Sequence, residues 1–469
     1  MTGLTSALAA EKLLSDGIKA TFGGMHRGRV FCCRCHQVCP GEEASTASRE
    51  GSSEQSFLLI ATASEDMSVG LWRNDCGTKA VRMLHQLKSH SEECLSVEWS
   101  PDGRTLASCG ADNAVVLYAI DLENVDLVPP LVVAKLKHKD HVYRAIFAPG
   151  SLIGCEQERI LVTCSGNQIL FWDAGNLSAG NESEGDGDGS GRFLLSRTMD
   201  LRGPAYGGER NPDKLVDIFD VALLLEKRKV ALACSDRTVR ILSFTKYAVN
   251  EHVIGPMVSP VCCLKWIHRP SPSSPSGDPQ PATLTFGKSP QRVSLMPPAR
   301  ASSSLGEAED LVVCFGSGDL TIVDLEATIA SERIVPRRQW EAHGGIIFDC
   351  LPIGGRLITC SSDATIKLWD LSKEAAMAPT AQAKPPVAPA PALLGVWQKA
   401  DYPFHSVDLV LLRQQRPFFL SMCGRCPGSG EKAPEEKAGA EAELCGGAVM
   451  VAGGGQTGFL GTPWFCKFL

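Results

Sequence analysis

The 469-residue sequence contains no long apolar run, and no stretch approaches the ~18 uninterrupted apolar residues of a membrane-spanning helix. Its first 20 residues lack a basic segment followed by an apolar core, and they carry Glu11 and Asp16. They therefore fit neither a secretory signal nor a transit peptide. We expect no membrane partner and a cytoplasmic and/or nuclear location.

An excess of basic residues is also missing. Lys and Arg total 46 against 53 Asp and Glu, the formal net charge is −7, and both signs are mixed along the chain. A protein that neutralises many phosphates usually carries a basic stripe. The composition therefore disfavours nucleic acid as the main direct partner.

The sequence has no P-loop, no dinucleotide-binding fingerprint and no nucleophile elbow. We therefore predict no catalytic residues, no cofactor and no metal, and expect that the protein is not an enzyme. The 19 cysteines mostly lie inside apolar runs such as LASCG and LITCS. This placement indicates buried free thiols in a reduced, intracellular protein.

Three segments imitate metal sites, but each has a simpler interpretation. The cysteines of FCCRCHQVC (31–39) fall where a strand is expected, and alternation sends Cys32 and Cys33 to opposite faces. The pair Cys423 and Cys426 has the spacing of a zinc knuckle, yet no second close pair follows. The acidic run 186–191 resembles the start of an EF-hand loop without its final Glu.

What the sequence does contain is a repeat. Four segments place a His four residues before an apolar position that opens an alternating run, and each continues into a strand, a tight turn and another strand. In these second halves a Ser or Thr stands four residues before an Asp or Asn at the turn, and an aromatic residue follows. The four sets are His26, Thr62, Asp66 and Trp72; His90, Ser108, Asp112 and Tyr118; His138, Thr163, Asn167 and Trp172; and His343, Thr359, Asp363 and Trp369. Two weaker copies, 230–242 and 311–325, keep the strand–turn–strand pattern, with turn residues at Asp236 and Asp319.

These sets resemble the WD40 repeat family, whose members are β-propellers. The resemblance implies an all-β fold of seven blades, each with four antiparallel strands, with long disordered inserts between strands. It also implies that each His, Ser/Thr, Asp and aromatic set forms a hydrogen-bonded chain inside one blade, which supports the blade rather than catalysing a reaction. Another all-β repeat fold remains the alternative.

The spacing of the repeats predicts the domain boundaries. Residues 17–376 hold blades 1 to 6, with Ser-, Pro- and Gly-rich insert loops at 37–55, 176–212 and 269–310. A Pro/Ala-rich linker occupies 377–392, and 393–469 form either a degenerate seventh blade or a loosely ordered tail. Residues 17–24 can supply the outer strand that completes the last blade.

By resemblance, the protein is expected to be a non-catalytic scaffold or adaptor that binds proteins or peptides within an intracellular complex. The loops next to the repeated histidines would form its binding end. Two alternatives stay open: an adaptor in an RNA-modifying or ribosome-biogenesis complex, which needs a basic face, and a propeller hydrolase, which needs acids, histidines or a metal in the channel.

Overall fold

The computed structural model describes residues 18–23, 26–38, 56–75, 81–175, 193–198, 216–245, 248–268, 309–331, 334–353, 355–371, 390–398, 403–411, 448–454 and 457–461. Within these ranges the chain is almost entirely β-structure. It forms seven four-stranded antiparallel sheets, accompanied by one short helix, α1 (Leu325–Ser331), and a 3₁₀ turn at Gly150–Leu152. No helix of the described ranges is long and apolar enough to cross a membrane.

Six sheets are each built from four consecutive strands. Sheet 1 contains β2 (Val30–Val38), β3 (Phe57–Ser64), β4 (Val69–Asp75) and β5 (Val81–Leu87). Sheet 2 contains β6 (Cys94–Trp99), β7 (Thr105–Gly110), β8 (Ala114–Ala119) and β9 (Leu131–Lys137). Sheet 3 contains β10 (Val142–Ala148), β11 (Ile160–Ser165), β12 (Gln168–Asp173) and β13 (Phe193–Thr198). Sheet 4 contains β14 (Ile218–Leu224), β15 (Lys229–Cys234), β16 (Val239–Phe244) and β17 (Val249–Ile254). Sheet 5 contains β18 (Val261–His268), β19 (Glu309–Phe315), β20 (Asp319–Asp324) and β21 (Pro336–Glu341). Sheet 6 contains β22 (Ile347–Ile353), β23 (Arg356–Ser361), β24 (Thr365–Asp370) and β25 (Ala392–Gln398).

The seventh sheet joins the two ends of the described chain. It contains β26 (Phe404–Leu411), β27 (Ala448–Gly454) and β28 (Thr457–Gly461), and its outer strand is β1 (Ile18–Gly23), which pairs antiparallel with β28. This is the position predicted for residues 17–24. The inner strand β26 contacts both β2 of sheet 1 and β22 of sheet 6. Sheet 7 therefore lies between the first and the sixth sheets.

The first strands of the seven sheets contact one another in a closed order: β2, β6, β10, β14, β18, β22, β26 and back to β2. Apolar layers fill the space between adjacent sheets, as where Phe171 of sheet 3 meets Phe244 of sheet 4 at 5.5 Å. Because the middle strands are covered on both faces, they read as nearly continuous apolar runs. The fold is an all-β propeller with its inner strands around a central axis.

Every inner strand carries a register shift near its start. The shifts fall at Val30/Cys32, Cys94/Ser96, Val142/Arg144, Ile218/Asp220, Val261/Cys263, Ile347/Asp349 and Phe404/Ser406. One residue is skipped at each shift, as in a β-bulge, which re-aims the side chains on either side of it. Sheet 7 shares this irregularity with the other six sheets.

Two of the predicted boundaries are wrong. Strand β13 lies inside the predicted insert 176–212, and β25, the fourth strand of sheet 6, begins at the end of the predicted linker 377–392 and continues into the region assigned to a seventh blade or tail. In β25 one face is open to solvent: Leu393 is 48% exposed. An outer strand covered on one side needs little apolar sequence, so its pattern is weak. Most of inserts 37–55 and 269–310 lies outside the described residues, as do 176–192 and 199–212.

Candidate binding face

The repeated histidines sit where each inner strand begins, and the set in sheet 6 has the predicted contacts. The indole Nε1 of Trp369 donates to Thr359 Oγ1 at 3.0 Å, and this hydroxyl lies 2.7 Å from His343 Nε2. His343 Nδ1 is 3.0 Å from Asp363 Oδ2. The hydroxyl accepts from the indole and donates to Nε2, which leaves the Nδ1–H to donate to Asp363.

The set in sheet 1 repeats this geometry. Trp72 Nε1 donates to Thr62 Oγ1 at 3.0 Å, Thr62 Oγ1 is 2.8 Å from His26 Nε2, and His26 Nδ1 is 3.0 Å from Asp66 Oδ2. The next residue after the turn aspartate has a positive φ in both sheets: 67° at Met67 and 61° at Ala364. The two sets hold their loops by the same four-residue chain.

The other two sets are variants. His90 lies 2.9 Å from Asp112 and 2.7 Å from Ser108, but the Ser108–Tyr118 hydroxyl contact is 3.5 Å long. In sheet 3, Trp172 Nε1 donates to Thr163 Oγ1 at 3.0 Å, and Thr163 Oγ1 is 2.9 Å from His138 Nε2. There His138 Nδ1 lies 3.2 Å from the main-chain oxygen of Leu136, and Asn167 occupies the shorter turn between β11 and β12.

The weaker repeats depart further from the pattern. In sheet 4 the turn residue Asp236 is paired with Arg240 at 3.3 Å. In sheet 5 Met257, buried, occupies the position of the histidine. The strand register also shows that Ser317, and not Asp319 as the sequence suggested, stands where Asp66 stands in sheet 1. Asp319 lies two residues later and accepts from Ser317 Oγ at 2.8 Å.

Burial determines the charge state of these histidines. Removal from water lowers the pKa of His343 to about 4 even though Asp363 opposes the shift, and it lowers the pKa of His138 to about 4 as well. The pKa values of His26 and His90 are lowered for the same reason. The imidazoles are therefore neutral near pH 7, as their role as acceptors at Nε2 requires.

At the same end of the molecule, the residue skipped at each register shift is half-buried. We call these seven residues the crown: Phe31, Leu95, Tyr143, Phe219, Cys262, Phe348 and His405. In the four repeats with a histidine, the crown residue is the fifth after it. The alignment of the histidines therefore contained this signal, although the sequence analysis did not use it.

Crown residues of neighbouring sheets touch. The His405 ring lies 4.5 Å from the Phe348 ring and 5.5 Å from the Phe31 ring, and Tyr143 meets Phe219 edge-to-face at 5.5 Å. The guanidinium of Arg29 lies 5.3 Å from the centroid of the Phe31 ring. Burial lowers the pKa of His405 to about 4, so this ring is neutral and adds to the apolar character of the face.

Below the crown, polar side chains of all seven inner strands form a closed circuit, which we call the inner ring. The successive contacts are Cys32 Sγ–Ser96 Oγ at 3.7 Å, Ser96 Oγ–Arg144 Nη1 at 3.3 Å, Arg144 Nε–Asp220 Oδ1 at 2.8 Å, Asp220 Oδ2–Lys265 Nζ at 3.7 Å, Lys265 Nζ–Asp349 Oδ1 at 3.6 Å, Asp349 Oδ2–Ser406 Oγ at 3.4 Å and Ser406 Oγ–Cys32 Sγ at 4.0 Å. Arg34 adds an ion pair to Asp349 at 3.4 Å. The ring is not evident as a repeat in the sequence, because its seven members are of five residue types: Cys, Ser, Arg, Asp and Lys.

The two aspartates of the inner ring are buried but paired with cations. Burial alone would raise the pKa of Asp349, but Lys265, Arg34 and Arg144 lower it below its ordinary value. Asp220 is likewise shifted down, because Lys265 and Arg144 outweigh its burial. Both carboxylates are therefore ionised near pH 7, and each is held between cations of neighbouring strands.

Of the three segments that imitate metal sites, only the first lies within the described residues, at positions 31–38. Cys32, Cys33 and Cys35 lie on β2 and are buried, and Cys423, Cys426 and the acidic run 186–191 lie outside the described residues. One group that the sequence analysis did not single out does converge: Cys263, Cys314 and Cys350, with mutual Sγ distances within 4.8 Å. Trp340 of β21 is buried and packs on Trp369 at 5.7 Å.

Comparison with known proteins agrees with this geometry. The family model for the WD domain, G-beta repeat, matches residues 81–118 and 334–370. Coronin-7 of Rattus norvegicus is 33% identical over 60 residues, which cover 13% of this chain and 6% of that protein. Among solved structures, Sqt1 of Saccharomyces cerevisiae superposes with a TM-score of 0.52 at 10% identity, covering 95% of this chain and 98% of that one.

The WD40 β-propeller domain of Doa1 superposes with a TM-score of 0.51 at 14% identity, covering 95% of this chain and 97% of that domain. At identities this low, the superpositions show a shared fold. They give no information about the partners of this protein. The closed circle of inner strands shows a β-propeller fold, two of its segments match the WD40 repeat, and the structures it superposes on include a WD40 β-propeller.

Proposed function

We propose that the protein is a non-catalytic adaptor that binds other proteins through its crown. The observation that carries this proposal is the chemistry of one register position. In all seven sheets it holds a half-buried side chain, and in five of them that side chain is Phe, Tyr or His. Aromatic groups clustered on a rigid surface are typical of protein–protein contacts, where a few such residues supply most of the binding energy.

The inner ring and the His–Asp pairs next to the crown make it a rigid binding surface. The inner ring ties every inner strand to its neighbours, and the His–Asp pairs hold the loops at the same end. A surface that is already ordered loses little conformational entropy when a partner binds. We infer that sheet 7 acts as the seventh blade, since β26 completes the circle that positions the crown.

The same ring argues against catalysis. A general acid or base needs a pKa near the working pH. Asp220 and Asp349 have pKa values below their ordinary range, because both are engaged by Lys265 and Arg144. Ionised carboxylates whose charge is balanced by cations in this way stabilise the fold, so we propose that the protein is not an enzyme.

The loops around the crown disfavour an RNA partner. The described loop and turn segments at this end carry nine acids against five cations. The acids are Glu65, Asp66, Glu92, Glu93, Asp112, Asp140, Asp217, Asp236 and Asp363, and the cations are Arg27, Arg29, Lys88, Lys139 and Arg237. A surface that binds nucleic acid requires the opposite balance. The 13 described cysteines are free thiols, which supports the proposed cytoplasmic and/or nuclear location.

The proposal can be tested by affinity purification with paired variants. Tyr143→Ala with Phe219→Ala removes an aromatic pair from the crown. Leu127→Ala with Leu131→Ala removes apolar surface at the outer edge of sheet 2, where these residues are 82% and 59% exposed. We expect the chains that co-purify with the wild-type protein to be lost from the crown variant and retained by the edge variant, with both variants folded by circular dichroism. Loss from the edge variant alone would show that binding occurs elsewhere.

A further inference from the structure

Three thiols from two adjacent sheets meet next to the inner ring, where Cys263 Sγ lies 3.8 Å from Asp349 and from Lys265. Cys263 on β18 and Cys314 on β19 are direct partners across the sheet 5 ladder, and Cys350 reaches them from β22 of sheet 6. All three are fully buried, and Cys263 Sγ lies 3.7 Å from Cys350 Sγ. Within the described ranges, no other group of three His, Cys, Asp or Glu side chains converges this closely.

We propose that these three sulfurs bind one soft monovalent metal ion, Cu(I), in trigonal coordination. Metal–sulfur bonds of ~2.3 Å in a trigonal plane place the sulfurs roughly 4.0 Å apart. The sulfurs of Cys263 and Cys350, at 3.7 Å, need only a small separation to reach this distance. Thiolate ligands select Cu(I), zinc and iron–sulfur clusters over harder ions. The site needs little rearrangement, because three ligands are already together.

The number and type of ligands separate copper from zinc. Structural zinc is almost always four-coordinate. The additional polar groups next to Cys263 are Asp349 Oδ1 and Lys265 Nζ, each 3.8 Å from its sulfur, and Asp349 is already bound by cations of the inner ring. A three-sulfur set with no free fourth ligand among these neighbours suits Cu(I) better.

The surroundings also suit the charge of such a site. Each thiol that binds releases its proton, so three thiolates and one Cu(I) carry a net charge of −2. The ammonium of Lys265 beside Cys263 partly offsets this charge, and Arg144 lies 3.9 Å from Asp349. The side chain of Lys265 is 24% exposed, so solvent reaches the inner ring next to the cluster.

Residues at equivalent positions of other sheets indicate which cysteine substitutions should leave the protein folded. The position of Cys263 is held by Ser96 in sheet 2 and by Ser406 in sheet 7, and the position of Cys314 is held by Ala63 in sheet 1 and by Ala233 in sheet 4. The variants Cys263→Ser and Cys314→Ala therefore use residues that the propeller already accommodates. Cys164→Ala, at the Cys314 position of sheet 3, is the matched control.

The experiment is anaerobic titration of the reduced full-length protein with Cu(I) against a chromophoric chelator, followed by X-ray absorption of the copper. We expect the tightest equivalent of Cu(I) to be lost from Cys263→Ser and from Cys314→Ala but retained by Cys164→Ala. The wild-type copper should have three sulfur neighbours. Equal tight binding by all four proteins, or a preference for Zn²⁺ with a fourth ligand, would overturn the proposal.

Discussion

Arg34 Nη1 lies 3.4 Å from Asp349 Oδ2 although 315 positions separate the two residues. Arg34 belongs to the first sheet and Asp349 to the sixth. Both also bind Ser406 of the seventh sheet, at 2.9 Å and 3.4 Å respectively. This three-residue contact joins the beginning and the end of the propeller at its axis.

Removing the carboxylate should be costly. Asp349→Ala leaves the buried Arg34 and the half-buried Lys265 without this partner, and breaking a buried pair in this way costs about 3–5 kcal/mol. We predict a loss of this size in the free energy of unfolding, measured with urea. The control is Glu65→Gln, which removes an exposed ion pair with Arg29 and should cost no more than about 1 kcal/mol. Similar losses from the two variants would argue against a supporting role for the inner ring.

The sequence allowed part of this structure to be predicted. The repeated His, Ser/Thr, Asp and aromatic positions identify four sheets. In each of these sheets the same side chains join the loop before the first strand to the second strand and, through its hydroxyl, to the third strand. Residues 17–24 could be placed in the last sheet because a closed circle leaves one outer strand to be supplied. His343 and His26 each lie within hydrogen-bond distance of an Asp carboxylate and a Thr hydroxyl.

The inner ring and the outer strands could not be predicted in the same way. The members of the ring pair by charge and hydrogen bonding and share no single residue type: Ser96, Arg144 and Asp220 occupy one register position with different side chains. Such a network is visible only when the strands are neighbours in space. The outer strand β25 could not be predicted because its open face removes most of the constraint on its sequence.

The buried histidines should make the protein sensitive to mild acid. Burial places the pKa of His343 at about 4 in the folded protein, against 6.5 as its ordinary value. Between pH 6.5 and pH 4 the imidazole therefore binds a proton in the unfolded chain but not in the folded protein. The contribution of His343 to the free energy of unfolding is complete above pH 6.5 and falls as the pH approaches 4. The full loss from this histidine is on the order of 3 kcal/mol. Urea unfolding at several pH values tests this, and His343→Gln should reduce the slope by about 1.4 kcal/mol per pH unit.

The hydrogen bond from the indole should matter more than its tyrosine counterpart. Trp369→Phe removes the 3.0 Å donor to Thr359, whereas Tyr118→Phe removes a hydroxyl that is 3.5 Å from Ser108. We predict a loss of about 1 kcal/mol for the hydrogen bond of Trp369, plus the cost of the smaller ring, and a smaller effect at Tyr118. Thermal unfolding of both variants gives the comparison. A larger effect at Tyr118 would contradict this ranking.

The crown as the binding face is the central claim, and site-specific photocrosslinking in cells tests it most directly. A benzophenone amino acid placed at Tyr143 or Phe348 replaces an aromatic side chain that is already half-buried at that face. The same group placed at Leu131 reports on the outer edge of sheet 2. We predict that the crown positions yield a discrete crosslink to another protein and that Leu131 does not. Crosslinks from Leu131 with none from either crown position would contradict the account.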